Sequence, residues 1–154
     1  MTASFDHRDV NLSTAFHEAG HAWEYIYNHK VLRWVTVRPT QGMLGHRQGW
    51  GPTGPLVSTA GPITQPHRMA EKRPASPIMF DSALAYTINN GGRIDWQRST
   101  EVFANRHQVA MLRSQITRDW AFIEALAAKL MVVGTMTGAE VCELLLLRFM
   151  GVTS

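Results

Sequence analysis

The residues best suited to chemistry lie in the segment AFHEAGHA, residues 15–22, where His17 and His21 are four positions apart and Glu18 follows the first histidine. On a helix, side chains four positions apart point to the same side. Two imidazoles in this arrangement suit one zinc ion at ~2.0–2.1 Å from each nitrogen. Glu18, about 100° around the helix from His17, can take a proton from zinc-bound water. The pattern therefore predicts part of a catalytic zinc site.

The same pattern has a simpler interpretation, because it fixes only three positions. On an ordinary amphipathic helix, His17 and His21 would be half-exposed surface residues and Glu18 would belong to a solvated face. A catalytic zinc also needs a third protein ligand and an open fourth position. The choice between the two interpretations therefore depends on the rest of the chain.

Several residues qualify as a third ligand by type alone. Glu24 lies on the same helix face, one turn beyond His21. A single straight helix can hardly wrap three ligands around one ion, so we interpret Glu24 as a support for a ligand or as a surface charge. The other histidines have no local context that favours ligation over a loop or surface position: they are His29, His46, His67 and His107.

Two acidic residues later in the chain are also candidates. Glu101 would suit a site whose third ligand is a glutamate on a later helix, and a helix salt bridge with Arg98 explains it equally well. Asp95 follows two glycines at a predicted helix start. Its position fits a metal ligand and also an ordinary N-cap aspartate, and residue chemistry alone leaves both interpretations open.

The elements that position these residues are predicted to be mainly helical. Apolar residues at three- and four-residue intervals predict a helix over residues 11–28, capped by Asn11 or Ser13. Small residues on this helix, such as Gly20, would let another element pack closely behind the ligands. Residues 31–38 predict a strand, and residues 43–48 predict a second strand that pairs back onto it.

The second half of the chain alternates irregular and helical predictions. Four prolines make residues 62–78 the least regular stretch, which we expect to be a mobile loop at the rim of the site, after a short helix near Leu56. Further helices are predicted over 80–88, from Asp95 onward, and over 117–133, the last ending at Gly134. Thr137-Gly-Ala-Glu140 forms a capping box for a final helix over 138–149.

Composition places the chain among globular proteins, with 45% apolar and 18% charged residues. Its 154 residues predict one domain, residues 1–154. A net charge of +3 without a basic run predicts no nucleic-acid partner. The single cysteine, Cys142, fits a reducing compartment. Because neither a signal peptide nor a membrane segment is evident, a cytoplasmic location is expected.

The chain resembles the zinc peptidase domain of the FtsH-type ATP-dependent membrane proteases and their small stand-alone relatives. The matching pieces occur in the family's order: AFHEAGHA at 15–22, VTVRPTQGMLG at 35–45, VSTAGPITQ at 57–65, GGRIDWQRSTEVFA at 91–104 and the helix pair at 123–145. By this resemblance, His17, His21 and Asp95 are the ligands of one Zn²⁺ per chain. Glu18 is the catalytic base.

The departures from the family concern substrate delivery. The sequence has no P-loop and hence no ATPase to feed substrate, and the transmembrane segments of the family are missing. Trp23 and Glu24 are a bulky ring and a charge where the family has small or aliphatic residues. None of these changes touches the three proposed ligands.

The resemblance implies an α+β fold, mainly helical, with a small β hairpin after the first helix and a C-terminal helix pair. It implies a zinc metallopeptidase that cleaves flexible or unfolded protein, with the peptide paired along strand 31–38 or 43–48. One alternative is a zinc-stabilised interaction module without proteolytic activity, with Leu144–Leu147 and Phe149-Met150 as a partner face, although burial is favoured for residues so apolar. Another is a protease dedicated to one regulatory partner. The sequence does not define the oligomeric state.

Overall fold

The structure, a computed structural model, describes residues 7–38, 46–49, 60–61, 63–64 and 104–151. Its elements are α1 (His7–Tyr27), β1 (Leu32–Thr36), β2 (His46–Gly49), α2 (Arg106–Arg118), α3 (Trp120–Val133), β3 (Thr135–Thr137) and α4 (Gly138–Phe149). Residues 60–61 and 63–64 are helical. The predicted mainly helical class with a small antiparallel sheet is confirmed.

Several predicted elements lie outside the described residues. These are the helix over 80–88, the segment opened by Asp95 and most of the irregular stretch over 62–78. Within that stretch, residues 63 and 64 are helical, so the irregular prediction is wrong at these two positions. The predicted start of a short helix near Leu56 lies outside the described residues.

Helix α1 packs against α3, β1 and β2. Its core side carries small residues, Ala15, Ala19 and Ala22, each with no exposed surface, and small side chains allow other elements to approach the helix closely. The helix begins at His7, so the predicted caps Asn11 and Ser13 are wrong. Asparagine and serine favour N-caps, but a helix that continues past them in the N-terminal direction holds them as interior residues.

The two residues that follow α1, Asn28 and His29, end the helix. The Asn28 side-chain amide donates a hydrogen bond to the backbone carbonyl of Glu24 at 3.0 Å. His29 has a φ of 55°, in the left-handed region that commonly ends helices. The chain then enters β1 at Leu32.

The sheet has the strand order β2-β1-β3, and both pairings are antiparallel. The pairing of β1 with β2 aligns Thr36 with His46 and confirms the predicted hairpin. The third strand, β3, was not predicted, because it has only three residues between a helix end and a capping box. It pairs Val35 with Met136, so β1 is the central strand.

The predicted helix over 117–133 is interrupted at Asp119, which separates α2 from α3. The indole N–H of Trp23 donates a hydrogen bond to Oδ2 of Asp119 at 3.0 Å. Phe16 stacks on Trp120 with ring centroids 5.3 Å apart. The junction between α2 and α3 is therefore tied to α1 by contacts about a hundred positions apart in sequence, which no local pattern indicates.

The start of α4 confirms the predicted capping box. Thr137 Oγ1 accepts from the backbone N–H of Glu140 at 3.3 Å, and Glu140 Oε2 accepts from the backbone N–H of Thr137 at 2.7 Å. This backbone donor lowers the pKa of Glu140 below its ordinary value. Gly138 packs against β1 so closely that an added Cβ would lie 1.8 Å from the carbonyl oxygen of Leu32.

Three large apolar side chains at the C-terminal end of α4 are exposed. Leu146 is 62% exposed, Phe149 82% and Met150 75%, so the burial favoured by the sequence is wrong for these three residues. Leu144 and Leu145 pack against the core with partial burial. No helix among the described residues is long and apolar enough to cross a membrane.

Candidate metal centre

His17 and His21 bring their Nε2 atoms within 3.1 Å of each other. Their rings are nearly perpendicular, with an interplanar angle of 79° and centroids 4.7 Å apart. Two ligands of a tetrahedral zinc, each at ~2.0–2.1 Å, have their nitrogens about 3.3 Å apart. The observed separation also fits a hydrogen bond between two neutral imidazoles of suitable tautomers. The pair thus has the spacing that a shared zinc ion requires.

Burial contradicts the surface interpretation of the motif for His21 and Glu18. His21 has no exposed surface and Glu18 is 5% exposed, while His17 is half-buried. Burying an ionisable carboxyl and an imidazole costs free energy unless specific partners compensate. A helix with two ordinary surface histidines and a solvated glutamate would not arrange them in this way.

The helical residues 60, 61, 63 and 64 cover part of this face, in agreement with the close packing that the small residues of α1 predicted. An added Cβ on Gly20 would lie 2.2 Å from Oγ1 of Thr64 and 2.9 Å from the carbonyl oxygen of Ala60. The Thr64 hydroxyl donates a hydrogen bond to the backbone carbonyl of Ala60, in the same segment, at 2.7 Å. Because both Ala60 and Thr64 are fully buried, the segment and α1 form a closely packed pair.

Glu24 lies on the same face of α1 and is only 1% exposed. Its Oε1 accepts a hydrogen bond from the Asn28 side-chain amide at 2.5 Å. Burial raises the pKa of Glu24, and the Asn28 hydrogen bond and the charge of Lys30 oppose this effect. Within the described part of the chain, Oε2 of Glu24 has no hydrogen-bond partner. The interpretation of Glu24 as a surface charge is therefore wrong.

The third ligand is not found among the described residues, which contain no group of three histidine, cysteine or acidic side chains able to hold a metal ion. Asp95, Glu101 and His67 lie outside the described residues, as does the side chain of His46. His29 and His107 are exposed. His29 also lies eight residues beyond His21, about 12 Å along a helix axis, so it does not belong to the histidine pair.

The sheet limits where an extended peptide can add as a strand. β1 is hydrogen-bonded to β2 on one edge and to β3 on the other, so the predicted pairing of substrate along residues 31–38 is wrong. Among the described residues, no strand pairs with the outer edge of β2. The alternative, pairing along the 43–48 region, remains a prediction.

Comparison with known proteins adds no relative. No family model matches the chain, and no curated protein matches it at a significant level. The resemblance to the FtsH-type peptidase domain therefore rests on the order of the sequence motifs. The hypothesis of a zinc site rests on the arrangement of His17, Glu18 and His21 on α1.

Proposed function

We propose that this protein is a zinc-dependent metallopeptidase that hydrolyses peptide bonds in flexible or unfolded protein segments without an ATPase of its own. The observation that supports this most is the 3.1 Å separation of the two Nε2 atoms, with Glu18 buried on the same helix. In this proposal His17 and His21 are two ligands of a single zinc ion, and Asp95 is the third by the family resemblance. A cytoplasmic location remains a prediction.

The chemistry assigns a separate role to Glu18. When bound, zinc would supply the Lewis acidity that polarises the scissile carbonyl and acidifies a water molecule. Glu18 follows His17 directly, so its carboxylate lies beside the ligand pair and accepts the proton of the attacking water. It then returns the proton to the leaving amine. Burial of Glu18 keeps this carboxylate in a site of low dielectric constant, where its interactions with developing charge are strong.

The proposed substrates are flexible segments or loosened proteins, because an extended backbone can pair with a strand edge and reach the metal centre, whereas a folded chain cannot. An extended peptide added at the outer edge of β2 would use the backbone groups that the described strands leave unpaired.

A second candidate function is a zinc-stabilised interaction module without proteolytic activity. The observation that favours it is the exposed apolar face of α4, formed by Leu146, Phe149 and Met150. A protease dedicated to one regulatory partner would combine this face with the same metal centre. All three candidates require zinc, and only hydrolysis separates the first from the second.

The experiment that tests the proposal combines metal analysis with a protease assay. Protein purified without chelators is expected to hold about one zinc per chain and to cleave a chemically unfolded test protein. Glu18→Gln keeps the shape of the side chain but cannot accept the proton of water, so it should retain zinc and lose hydrolysis. Equal cleavage by wild type and variant would show that Glu18 is not the base. Zinc without hydrolysis in the wild type would favour the interaction module.

The third ligand is tested by a matched pair of acidic residues. Asp95→Ala should lose both zinc and activity, because two histidines alone bind zinc weakly. If Asp95 is only an N-cap, the substitution should instead cost about 1 kcal/mol of stability and leave zinc in place. Glu101→Ala is the control. Full zinc occupancy in the Asp95 variant with loss in the Glu101 variant would assign the site to the other carboxylate.

A further inference from the structure

Gly61 contacts the His21 imidazole directly. An ideal Cβ on Gly61 would lie 2.4 Å from Nε2 of His21 and 2.7 Å from each of the neighbouring ring carbons, Cδ2 and Cε1. Nearly equal distances to the nitrogen and to both carbons place this Cβ over the face of the ring. A position in the ring plane, along the Nε2 lone pair, would put both carbons much farther away than the nitrogen.

The direction of this contact matters because a metal binds an imidazole nitrogen in the plane of the ring. Gly61 covers the ring face at Nε2 and does not lie in the in-plane direction in which a metal would bind. His21 has no exposed surface, so its ring has no solvent-filled space into which it could turn. The Gly61 backbone therefore packs against one face of the His21 ring.

We propose that Gly61 is a positioning residue of the metal centre, holding the His21 imidazole in the plane in which Nε2 faces the same point as Nε2 of His17. This inference rests on the proposed zinc site. A second glycine makes the contact possible, because Gly20 on α1 has no side chain to keep Thr64 and Ala60 away. Groups beyond the ligands commonly set ligand orientation, and their loss lowers metal affinity by about 10–100-fold.

The test is Gly61→Ala, with the affinity for Zn²⁺ and the visible spectrum of the Co²⁺-substituted protein as readouts. The added methyl group must rotate the His21 ring or push Gly61 and its described neighbours away from α1. We expect the dissociation constant for Zn²⁺ to rise by about 10–100-fold. The Co²⁺ absorption bands, which report coordination geometry, should change as well.

The control is Gly134→Ala, a glycine-to-alanine change at a site in contact with Arg38. Gly134 has a φ of 78°, and its added Cβ would lie 2.4 Å from Nε of Arg38, so this variant should also be destabilised. It should keep the wild-type affinity for Zn²⁺ and the wild-type Co²⁺ spectrum. Equal loss of affinity in both variants would assign the effect to general destabilisation and overturn the positioning role.

A measurement on the wild type keeps the inference testable if Gly61→Ala does not fold. A glycine Hα over an imidazole face is shifted upfield by the ring current, whereas an Hα in the ring plane is shifted downfield. An upfield Gly61 Hα with a cross-peak to the His21 ring supports the proposal, and a downfield or unshifted Hα overturns it. Wild-type protein that binds no zinc would overturn the proposed function as well. Zinc binding that is unchanged in Gly61→Ala would overturn only this inference.

Discussion

Helix α1 buries the side chains of Glu18, His21 and Glu24, whereas helix α4 exposes Leu146 and Phe149. Both helices depart from the usual distribution of polar and apolar residues, in opposite directions. Burying an ionisable group costs free energy that other contacts must offset. An exposed apolar residue does not gain the favourable free energy of burial, but its exposure does not destabilise the fold directly. The buried polar face of α1 therefore says more about chemistry than the apolar face of α4.

The difference between the two helices comes from what packs on each side. The face of α1 that carries His21 is covered by the helical residues 60, 61, 63 and 64, with close contacts at Gly20 and Gly61. On α4, Gly138 and Val141 are buried, and the opposite side faces solvent. The polar face of α1 is thus covered by another segment, whereas α4 packs against the rest of the protein along one side only. The apolar side chains of Leu146 and Phe149 lie on that solvent-facing side.

The largest expected effect is on the metal-dependent stability of α1. At a free zinc concentration 1,000 times the dissociation constant, wild-type protein should gain about 4 kcal/mol of unfolding free energy over chelator-treated protein. His21→Ala should lose this zinc-dependent gain, because one ligand nitrogen is removed. Denaturant unfolding with and without zinc measures it. Leu146→Ser on α4 is the control and should keep the full gain, and a wild type that zinc does not stabilise would contradict the site.

The next effect is on the pH dependence of the unfolding free energy, to which Glu24 and Glu140 contribute with opposite signs. Burial raises the pKa of Glu24, so the native state holds a proton that the unfolded chain releases near its ordinary pKa. Stability should therefore fall as pH rises from that ordinary value, about 4.3, to the raised native pKa. The slope is at most about 1.4 kcal/mol per pH unit. Glu24→Gln should remove this fall, as measured by denaturant unfolding across pH.

Glu140 on α4 provides the control of opposite sign. The backbone N–H of Thr137 lowers its pKa, so its contribution is present above the ordinary carboxyl pKa and is lost as pH falls through the lowered native pKa. Glu140→Gln should flatten the acid side of the stability profile and leave the Glu24 region unchanged. Identical profiles for wild type and Glu24→Gln would mean that Glu24 titrates normally.

The smallest effect is expected on the exposed face of α4. Leu146→Ser and Phe149→Ser should each change the unfolding free energy of the isolated protein by no more than about 0.5 kcal/mol, as surface substitutions generally do. Thermal or denaturant unfolding of the two variants measures this. A loss well above 1 kcal/mol in dilute protein would show that the face is covered in solution and would remove the contrast with α1.

Local signals in the sequence predicted much of the described fold. The helix carrying His17 and His21 and the Thr137–Glu140 capping box depend on residues a few positions apart, and the β1–β2 pairing joins two segments that follow each other directly in the chain. Helix periodicity, strand composition and caps act over such short distances. The same property explains the wrong caps at Asn11 and Ser13. Their cap preference is local, whereas the start of a helix depends on how far the helix continues beyond them.

The motif order and residue types determined which atoms can do chemistry here, because the spacing of His17 and His21 on a helix already places both imidazoles on one side. Only the tertiary structure decided that Glu18, His21 and Glu24 are buried, that β3 completes the sheet and that Gly61 lies over the His21 ring. Burial and ring contacts depend on segments tens of positions apart in the sequence. Their packing is set by the shape of the whole core, which no short pattern of residues records.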